Sequence, residues 1–433
     1  MYTVALYTLG CKVAQYETEA IAEKFISEGV SVVPFDSCAD AYLINTCTVT
    51  AESDRKSRQM IRRAKKRNPS AVIAVVGCYS QLAPEDILEL GVDVVIGTDN
   101  KLSAVELVLA RLGDRELSPC VSVSDVSCSF FEPMTVKSAP RTRAYVKIED
   151  GCESRCSYCA IRLARGRVRS KPREDVIKEV TALAESGVRE VVLTGIETGA
   201  YGRDLPKGNS LGELICELDS LGVPERIRLG SLAPELVGRE FAESVRGVTH
   251  LAPHFHLSMQ SGSDKVLAAM RRRYNTEMAY ESITALRSVF PDAEFTTDMM
   301  VGFPGESEED FEATLAMLER VRFDMLYSFI YSPRKGTPAA EKEDQIPPAV
   351  KSARFERLLA TQNAIALEKN QPLVQKTLRV LCDGVSKNNP ALYAGRTEGN
   401  KIAFFEGTPE DTGKYVDFLV ERADAFALYG KKI

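Results

Sequence analysis

Residues 71–80 read Ala71-Val-Ile-Ala-Val-Val-Gly77-Cys78-Tyr-Ser80: six small or β-branched apolar residues that run into a glycine and then a cysteine. A run of that length and composition, closed by glycine and polar residues, reads as a buried strand. The pattern occurs twice more upstream. Residues 2–9 are followed by Gly10-Cys11, and residues 41–45 by Thr46-Cys47. Three strands thus each deliver a cysteine at the C-terminal end. Helical stretches at 17–28, 51–67, 84–89 and 103–111 and further strands at 30–34 and 92–96 complete a strand–helix alternation. It predicts an open, mainly parallel α/β sheet over residues 1–115. In such a sheet the C-terminal strand ends face one crevice, where ligands bind. Cys11, Cys47 and Cys78 are therefore expected to converge, although 36 and 31 residues separate them. On spacing alone, three unrelated buried thiols remain a competing account, because Cys38 and Cys120 show that cysteines also occur elsewhere.

Outward from this sheet the pattern breaks and restarts. Residues 116–142 are rich in Ser, Pro and Thr and read as a linker or edge segment. From residue 144 strands follow at 144–148, 190–194, 226–229, 255–259, 294–299 and 326–330, with helices at 174–186, 211–221 and 311–321 between them. The last of these helices is announced by a Ser307-x-x-Asp310 capping pattern. Six such units within residues 143–370 predict a partial (βα)6 barrel rather than a closed eight-stranded one. A helix at 349–369 ends it. Residues 371–433 change to short β-prone pieces at 378–383, 401–405 and 415–422, which predict a small all-β barrel of a type used against oligonucleotides.

Composition sets the class. With 433 residues, 44% apolar and 27% charged, the chain reads as a soluble protein of two or three domains. The N-terminus has no basic segment followed by an apolar one, and no apolar run approaches the ~20 residues that span a bilayer. A cytoplasmic protein with no membrane partner is expected, in which eleven cysteines serve as thiols or metal ligands rather than disulfides. The net charge of −6 is unevenly spread: residues 55–67 hold eight basic residues and no acid, and residues 162–173 hold six. Such patches can track phosphates, although a basic helix face can also be merely solvated.

The strongest local signal is Asp150-Gly151-Cys152-Glu-Ser-Arg-Cys156-Ser-Tyr158-Cys159, just after the first barrel strand, on the face where barrel active sites form. Three thiolates on one loop fall one short of a structural zinc site, and the three histidines, His250, His254 and His256, are distant in sequence. A [4Fe–4S] cluster held by three cysteines instead leaves one iron open. His254 and His256 alternate on one strand and share a face, for which a structural role is expected.

With these residues in hand, the chain resembles the radical S-adenosylmethionine (SAM) methylthiotransferase family. The Cys152–Cys159 motif resembles the superfamily's cluster loop. Tyr7-Thr-Leu-Gly-Cys11-Lys-Val13, Asn45-Thr-Cys47-Thr-Val-Thr50 and Gly77-Cys78-Tyr79 look like the family's N-terminal domain. Further matches are Arg165-Gly166-x-Val168-Arg169-Ser170, His254-Phe-His256-Leu-Ser-Met-Gln260-Ser261-Gly262, Thr297-Asp298-x-x-Val301-Gly302-Phe-Pro-Gly305-Glu306 and Tyr331-Ser-x-Arg334-x-Gly336-Thr337-Pro338. Gly395-Arg396-Thr397-Glu398 is similar to the RNA-gripping TRAM barrel. Two departures are Ala14, where Asn is the family's residue, and Ile161-Arg162-Leu163, where an Ile-Pro-aromatic segment is usual.

The resemblance implies two [4Fe–4S] clusters and SAM as cofactors. Cys152, Cys156 and Cys159 would hold the SAM-binding cluster, and Cys11, Cys47 and Cys78 an auxiliary cluster carrying the sulfur. Tyr158, Gly195, Glu197, Ser231, Gln260, Ser261, Gly302 and Gly305 are the residues expected around SAM. The context Gly10-Cys11-Lys12-Val13-x-Gln15-Tyr16-Glu17 is similar to the branch that adds a methylthio group to C2 of N6-threonylcarbamoyladenosine at position 37 of tRNA. One SAM would give the methyl and one would be the radical source. Implied partners are the tRNA anticodon loop, an electron donor such as flavodoxin or ferredoxin, and a sulfur donor. Arg62, Arg63, Arg167, Arg169, Lys387 and Arg396 are expected to hold RNA. The alternatives are methylthiolation of isopentenyladenosine in tRNA or of a ribosomal protein, and a non-catalytic, metal-containing RNA-binding protein.

Overall fold

The computed structural model describes residues 1–48, 50–138 and 142–433, and only the backbone of Ala51 and Cys128. Residues 139–141 of the expected linker therefore lie outside the described residues. The chain opens with β1 (Thr3–Thr8), α1 (Lys12–Ser27), β2 (Ser31–Val33), β3 (Ala41–Thr46), α2 (Ala51–Arg67) and β4 (Val72–Gly77). It continues through short helices α3 (Cys78–Leu82) and α4 (Pro84–Leu88) to β5 (Val94–Ile96), α5 (Ser103–Gly113) and β6 (Cys120–Ser122). The six strands form one parallel sheet in the order β2-β1-β3-β4-β5-β6. Every residue of β3 and β4 is buried, which is why these central strands read as unbroken apolar runs rather than alternating ones. α1 and α5 cover one face around Ile21, Phe25 and Val105, and α2 and α4 cover the other around Ile61 and Ile87.

Two details differ from the expectation. α1 starts at Lys12, five residues before the expected start at 17, because its buried face includes the polar Glu17 and Thr18, which apolar spacing does not register. The segment 116–142 is also more than a connection. Within it β6 completes the sheet edge, and its Cys-Val-Ser sequence is half-buried to exposed, so it carries no apolar pattern.

The central domain comprises β7 (Arg143–Lys147), β8 (Glu149–Asp150), α6 (Ile161–Arg165), β9 (Arg169–Ser170), α7 (Arg173–Glu185), β10 (Glu190–Thr194) and α8 (Leu211–Ser220). It goes on through β11 (Arg226–Leu229), β12 (Ser231–Leu232), α9 (Arg239–Ser244), β13 (His254–Gln260), α10 (Asp264–Ala269), α11 (Thr276–Val289), β14 (Glu294–Val301), α12 (Glu308–Val321), β15 (Met325–Ile330) and α13 (Pro348–Asn370). Strands β11-β10-β7 and β12-β13-β14-β15 are all parallel. β11 and β12 are two halves of one strand broken at Gly230, and a bridge from Ile227 to Leu251 links the two sheets. Among the described residues nothing pairs β7 with β15, so six strand positions make an open barrel. Ser307 and Asp310 form the capping box read from the sequence.

The last five strands, β16 (Thr377–Val385), β17 (Tyr393–Thr397), β18 (Ile402–Glu406), β19 (Tyr415–Ala423) and β20 (Ala427–Lys432), close into a small barrel. β17 and β20 do not emerge from the sequence pattern; each carries a glycine, Gly395 or Gly430, that lowers strand propensity. The small barrel docks beneath the open one: Arg228 donates to the Glu398 carbonyl at 2.9 Å, and Lys401 lies 3.0 Å from Asp324 and 3.1 Å from Glu294. Among the described residues no helix is long and apolar enough to cross a membrane.

Candidate active site

The first cysteine triad sits on the loop between β8 and α6. Gly151 opens the loop at φ +84°, and a Cβ there would stand 1.8 Å from the Arg167 carbonyl oxygen, so the turn admits no side chain. Cys152, Cys156 and Cys159 line one cavity of about 330 Å³ together with Tyr158, Glu197, Gln260 and Arg272. Each sulfur receives an N–H: from Ser154 to Cys152 at 3.3 Å, from Ile161 to Cys159 at 3.4 Å, and from Arg272 Nη1 to Cys156 at 3.2 Å. Arg162, within the departure from the family pattern, braces the loop by donating to the Cys152 carbonyl at 2.7 Å. Burial pushes the Cys152 thiol up to about 11 and Cys159 to about 12. Donors aimed at sulfurs that burial keeps protonated suit thiolates ligating a positive centre, which removes their protons.

Cys11, Cys47 and Cys78 follow three neighbouring parallel strands, β1, β3 and β4. Cys11 caps the N-terminus of α1, Cys47 follows β3, and Cys78 begins α3 after β4. Gly77 before it has φ +108°, and a Cβ there would meet Asn45 Oδ1 and the Thr46 carbonyl, both at 2.6 Å. A Cβ at Gly10 would stand 3.6 Å from Cys47 Sγ. Arg165 Nε donates to Cys78 Sγ at 3.3 Å, while burial raises that thiol. Ala14 is buried, and its carbonyl accepts from Asn45 Nδ2 at 3.0 Å. Among the described residues no three His, Cys, Asp or Glu side chains are gathered tightly enough to hold a single metal ion. Cys152, Cys156 and Cys159 instead surround a volume, and three donors around a cavity with inward N–H groups fit a multi-iron cluster.

A buried charge network joins the two triads. Glu17 of α1 lies 3.0 Å from Lys101, 3.1 Å from Lys147 and 2.9 Å from Arg165, all fully buried. Arg165 and Lys147 also reach Asp150, at 2.9 and 3.2 Å, two residues before Cys152. Burial opposes both carboxylates' charge, but Arg165 and its lysine neighbours hold them well below the usual carboxylate range. A second latch runs from Arg334 to Thr48 Oγ1 at 2.5 Å and Asp54 at 2.8 Å, beside Cys47.

The residues expected around SAM divide. Tyr158, Glu197 and Gln260 face the Cys152 cavity. Glu197 accepts from the Ala233 N–H at 2.9 Å, and burial raises its carboxyl to about 7. Gln260 has φ +65°, a conformation uncommon for a non-glycine residue. Gly195 and Ser231 face the neighbouring barrel lumen. Ser261, Gly302 and Gly305 do not reach either space. Ser261 is fully buried, with its oxygen accepting from the Ser263 N–H at 3.2 Å. Gly302 gives its N–H to Glu306 at 2.8 Å and backs onto Lys351, and Gly305 gives its N–H to the Asp344 carbonyl at 3.0 Å. Strand-end position alone cannot distinguish a residue that faces the cavity from one that folds the turn beneath a helix.

The lumen is a second cavity of about 560 Å³. Same-face pairs two apart on successive strands build it: Arg143 and Tyr145, Val192 and Thr194, His254 and His256, Thr296 and Asp298, Tyr327 and Phe329. Cys11 and Lys12 close it from the first domain, and Arg396 and Asn400 from the last. Thr296 Oγ1 bridges His254 at 3.2 Å and His256 at 2.9 Å, and Asp298 pairs with His256 at 3.2 Å, which gives the histidines a structural role. Arg143 and Arg396 also line a groove of about 880 Å³ that contains Lys387, so the groove and the lumen share a wall.

Of the residues expected to hold RNA, Arg62, Arg63, Arg167 and Lys387 are exposed, with Arg63 paired to Asp36. Arg169 is not available at the surface: it is buried 3.6 Å from Asp150, which draws it inward. Sequence reasoning missed Lys12, Arg143, Arg228, Glu149 and the inward turn of Arg272. Arg165 and Arg334 lie within recognisable motifs, yet nothing in the motifs points to their roles.

Residues 3–97 match the family described as Uncharacterized protein family UPF0004, residues 146–318 the radical SAM superfamily, and residues 372–433 the TRAM domain. The chain is 39% identical over 98% of its length to the Bacillus subtilis protein named threonylcarbamoyladenosine tRNA methylthiotransferase MtaB, covering 94% of that protein. A protein of the same name from Thermotoga maritima is 38% identical over 88% of the chain and 87% of its own length. The tRNA-2-methylthio-N6-dimethylallyladenosine synthase of Acetivibrio thermocellus is 35% identical over 98% of the chain and 90% of its own length. Among solved structures, the radical S-adenosylmethionine methyltransferase TsrM from Kitasatospora setae shares the fold, with a TM-score of 0.58 at 16% identity over 78% of this chain and 74% of that one.

Proposed function

The chain belongs to the MtaB-like radical SAM tRNA methylthiotransferases, and from that premise we propose that it adds a methylthio group to C2 of N6-threonylcarbamoyladenosine at position 37 of tRNA. The observation that carries the proposal is 39% identity along nearly the whole chain to a relative of that name, joined to the Cys152, Cys156 and Cys159 triad bordering one cavity and Cys11 bordering the lumen beside it. Bound at Cys152, Cys156, Cys159 and at Cys11, Cys47, Cys78, two [4Fe–4S] clusters with SAM supply one-electron chemistry and a transferable sulfur, one SAM giving the methyl and another serving as the radical source.

The chain's own residues bind, orient and seclude. The N–H groups of Ser154 and Ile161 and the Arg272 guanidinium hold the first triad's sulfurs in place. The Glu197 carboxyl, which lines the Cys152 cavity, would receive the methionyl amine of SAM. Glu149, whose Oε2 accepts the Glu197 N–H at 2.8 Å, supports it from behind. Tyr158 and Gln260 close the same space. A base splayed from the anticodon loop, at a cost of a few kcal/mol of unstacking, enters the lumen, while Arg62, Arg63, Arg167 and Lys387 hold phosphates. Functionally the chain divides at 1–115, 116–142, 143–370 and 371–433, with Cys120–Ser122 belonging to the first sheet. An electron donor such as flavodoxin or ferredoxin and a sulfur donor complete the partners, and tRNA as substrate implies work in the cytoplasm. Iron and sulfide content of anaerobically purified protein tests the two-cluster reading. About eight irons per chain are expected, falling to about four in a Cys11→Ala/Cys47→Ala/Cys78→Ala variant that still cleaves SAM. About four irons in both proteins would overturn it.

A further inference from the structure

We propose that the barrel lumen recognises the free carboxylate of the threonyl group on the substrate adenine, through Lys12, Arg143 and Arg396. The inference rests on the threonylcarbamoyladenosine reading above and names how that substrate is told from its neutral relatives. Four cations line the lumen, Lys12, Arg143, Arg228 and Arg396, against one carboxylate, Asp298, which His256 already engages at 3.2 Å. Behind the wall, buried Glu190 lies 3.0 Å from Arg228 and 3.7 Å from Arg143 and offsets about one positive charge. Among the described residues, Arg396 has a carboxylate no nearer than Asp383 at 3.9 Å. Lys12 is ringed by protein yet stands open to the cavity's solvent, with no ion pair among the described residues. Like charges gathered in a half-enclosed space repel one another, and a bound anion relieves that repulsion. An isopentenyl substituent would leave the cations unpaired, whereas a carboxylate would compensate them.

The shape of the substrate agrees. In adenine, C2 and C6 flank N1, so a substituent on N6 diverges from the reacting carbon and needs its own space. The lumen provides two ends: Gly195 and Ser231, which follow β10 and β11, at one, and Arg143 at the start of β7, with Arg396 and Asn400 beside the strand starts, at the other. The same cations could instead take a backbone phosphate, which the experiment separates.

The test uses the two-cluster holoenzyme and three fluorescent anticodon stem-loops, bearing adenosine, N6-threonylcarbamoyladenosine or its neutral threoninamide analogue. Wild-type protein is expected to bind the carboxylate about tenfold or more tighter than the amide, with Lys12→Gln and Arg143→Gln each reducing that ratio severalfold. Equal binding of carboxylate and amide by the wild type would overturn the pocket, with no dependence on how any variant folds. So would equal weakening of all three stem-loops in the variants, the mark of a phosphate contact. Mass spectrometry of the same oligonucleotides reads the parent assignment separately. Methylthiolation of both modified loops at equal affinity keeps the substrate and removes the pocket, whereas methylthiolation of neither overturns the substrate itself.

Discussion

Arg165 shows how much one side chain can carry here. Its guanidinium reaches Cys78, Glu17 and Asp150 at once, at 3.3, 2.9 and 2.9 Å, and it is buried. Replacing it with Leu would leave two buried carboxylates short of a partner, so a loss of about 3–5 kcal/mol is expected in urea unfolding. Arg165→Lys is expected to recover little, because one ammonium cannot serve three acceptors in a fixed fork. The spectroscopic signal of the Cys11–Cys47–Cys78 cluster should broaden or vanish in both variants while that of the other cluster persists. Intact signals from both clusters would contradict the positioning role. Single residues are legible in the sequence where position along a strand decides orientation. Cys11, Cys47 and Cys78 follow neighbouring parallel strands, a placement that the sequence pattern already carries. Arg143 and Arg228 are not legible, because a cation on a strand reads as a solvated side chain until neighbouring strands fold it into a lumen, and Lys12, the first residue of α1, reads as an ordinary solvated helix end. Ser261, Gly302 and Gly305 fail for the converse reason: they lie at the right strand ends but serve the turns packed under α12 and α13.

At the scale of elements, α2 is the clearest prediction. Its N-cap Thr50 accepts from the Ser53 N–H, its buried face is held by Met60, Ile61 and Ala64, and Arg62 and Arg63 project to solvent. Charge reversal of both to Glu is expected to weaken tRNA binding and to flatten the slope of log affinity against log salt by about 2, one for each phosphate left without its arginine. An unchanged slope would place the RNA elsewhere. The doubly buried strands β3 and β4 and the helices α2 and α13 are legible to within a residue or two. α3, β6, β17 and β20 are not. They are three- to six-residue pieces whose formation depends on pairing or packing with distant segments, and propensity over so few residues is too weak to reveal that.

At the scale of the whole molecule, the three domains are welded by buried charge. Glu190 at the foot of β10 binds Arg226 at 3.1 Å and Arg228 at 3.0 Å, and Arg228 in turn grips the small barrel. Burial alone would raise this carboxyl, but Arg228, Arg143 and Arg226 bring it down to about 2 from an ordinary 4.5. A carboxyl lowered on folding stabilises the protein above its unfolded value, and that stability is lost as pH falls from about 4.5 towards 2. Glu190→Gln is therefore expected to lower the melting temperature at pH 7, with a gap to the wild type that narrows steadily as pH falls from about 4.5 towards 2. A gap that stays constant over that range would contradict the assignment. The order of three domains is legible from runs and turns. Their docking is not, since it depends on ion pairs such as Arg226–Glu398 and Glu17–Lys147, whose members lie far apart in sequence.

Methylthiolation of N6-threonylcarbamoyladenosine in tRNA is tested most directly by nucleoside mass spectrometry of bulk tRNA from a host lacking its own methylthiotransferases, with and without this chain. The complemented strain is predicted to contain 2-methylthio-N6-threonylcarbamoyladenosine, and to lack it when Cys152, Cys156 and Cys159 are replaced by Ala. Methylthiolated isopentenyladenosine in its place, or no methylthiolated nucleoside from a protein carrying both clusters, would contradict that assignment.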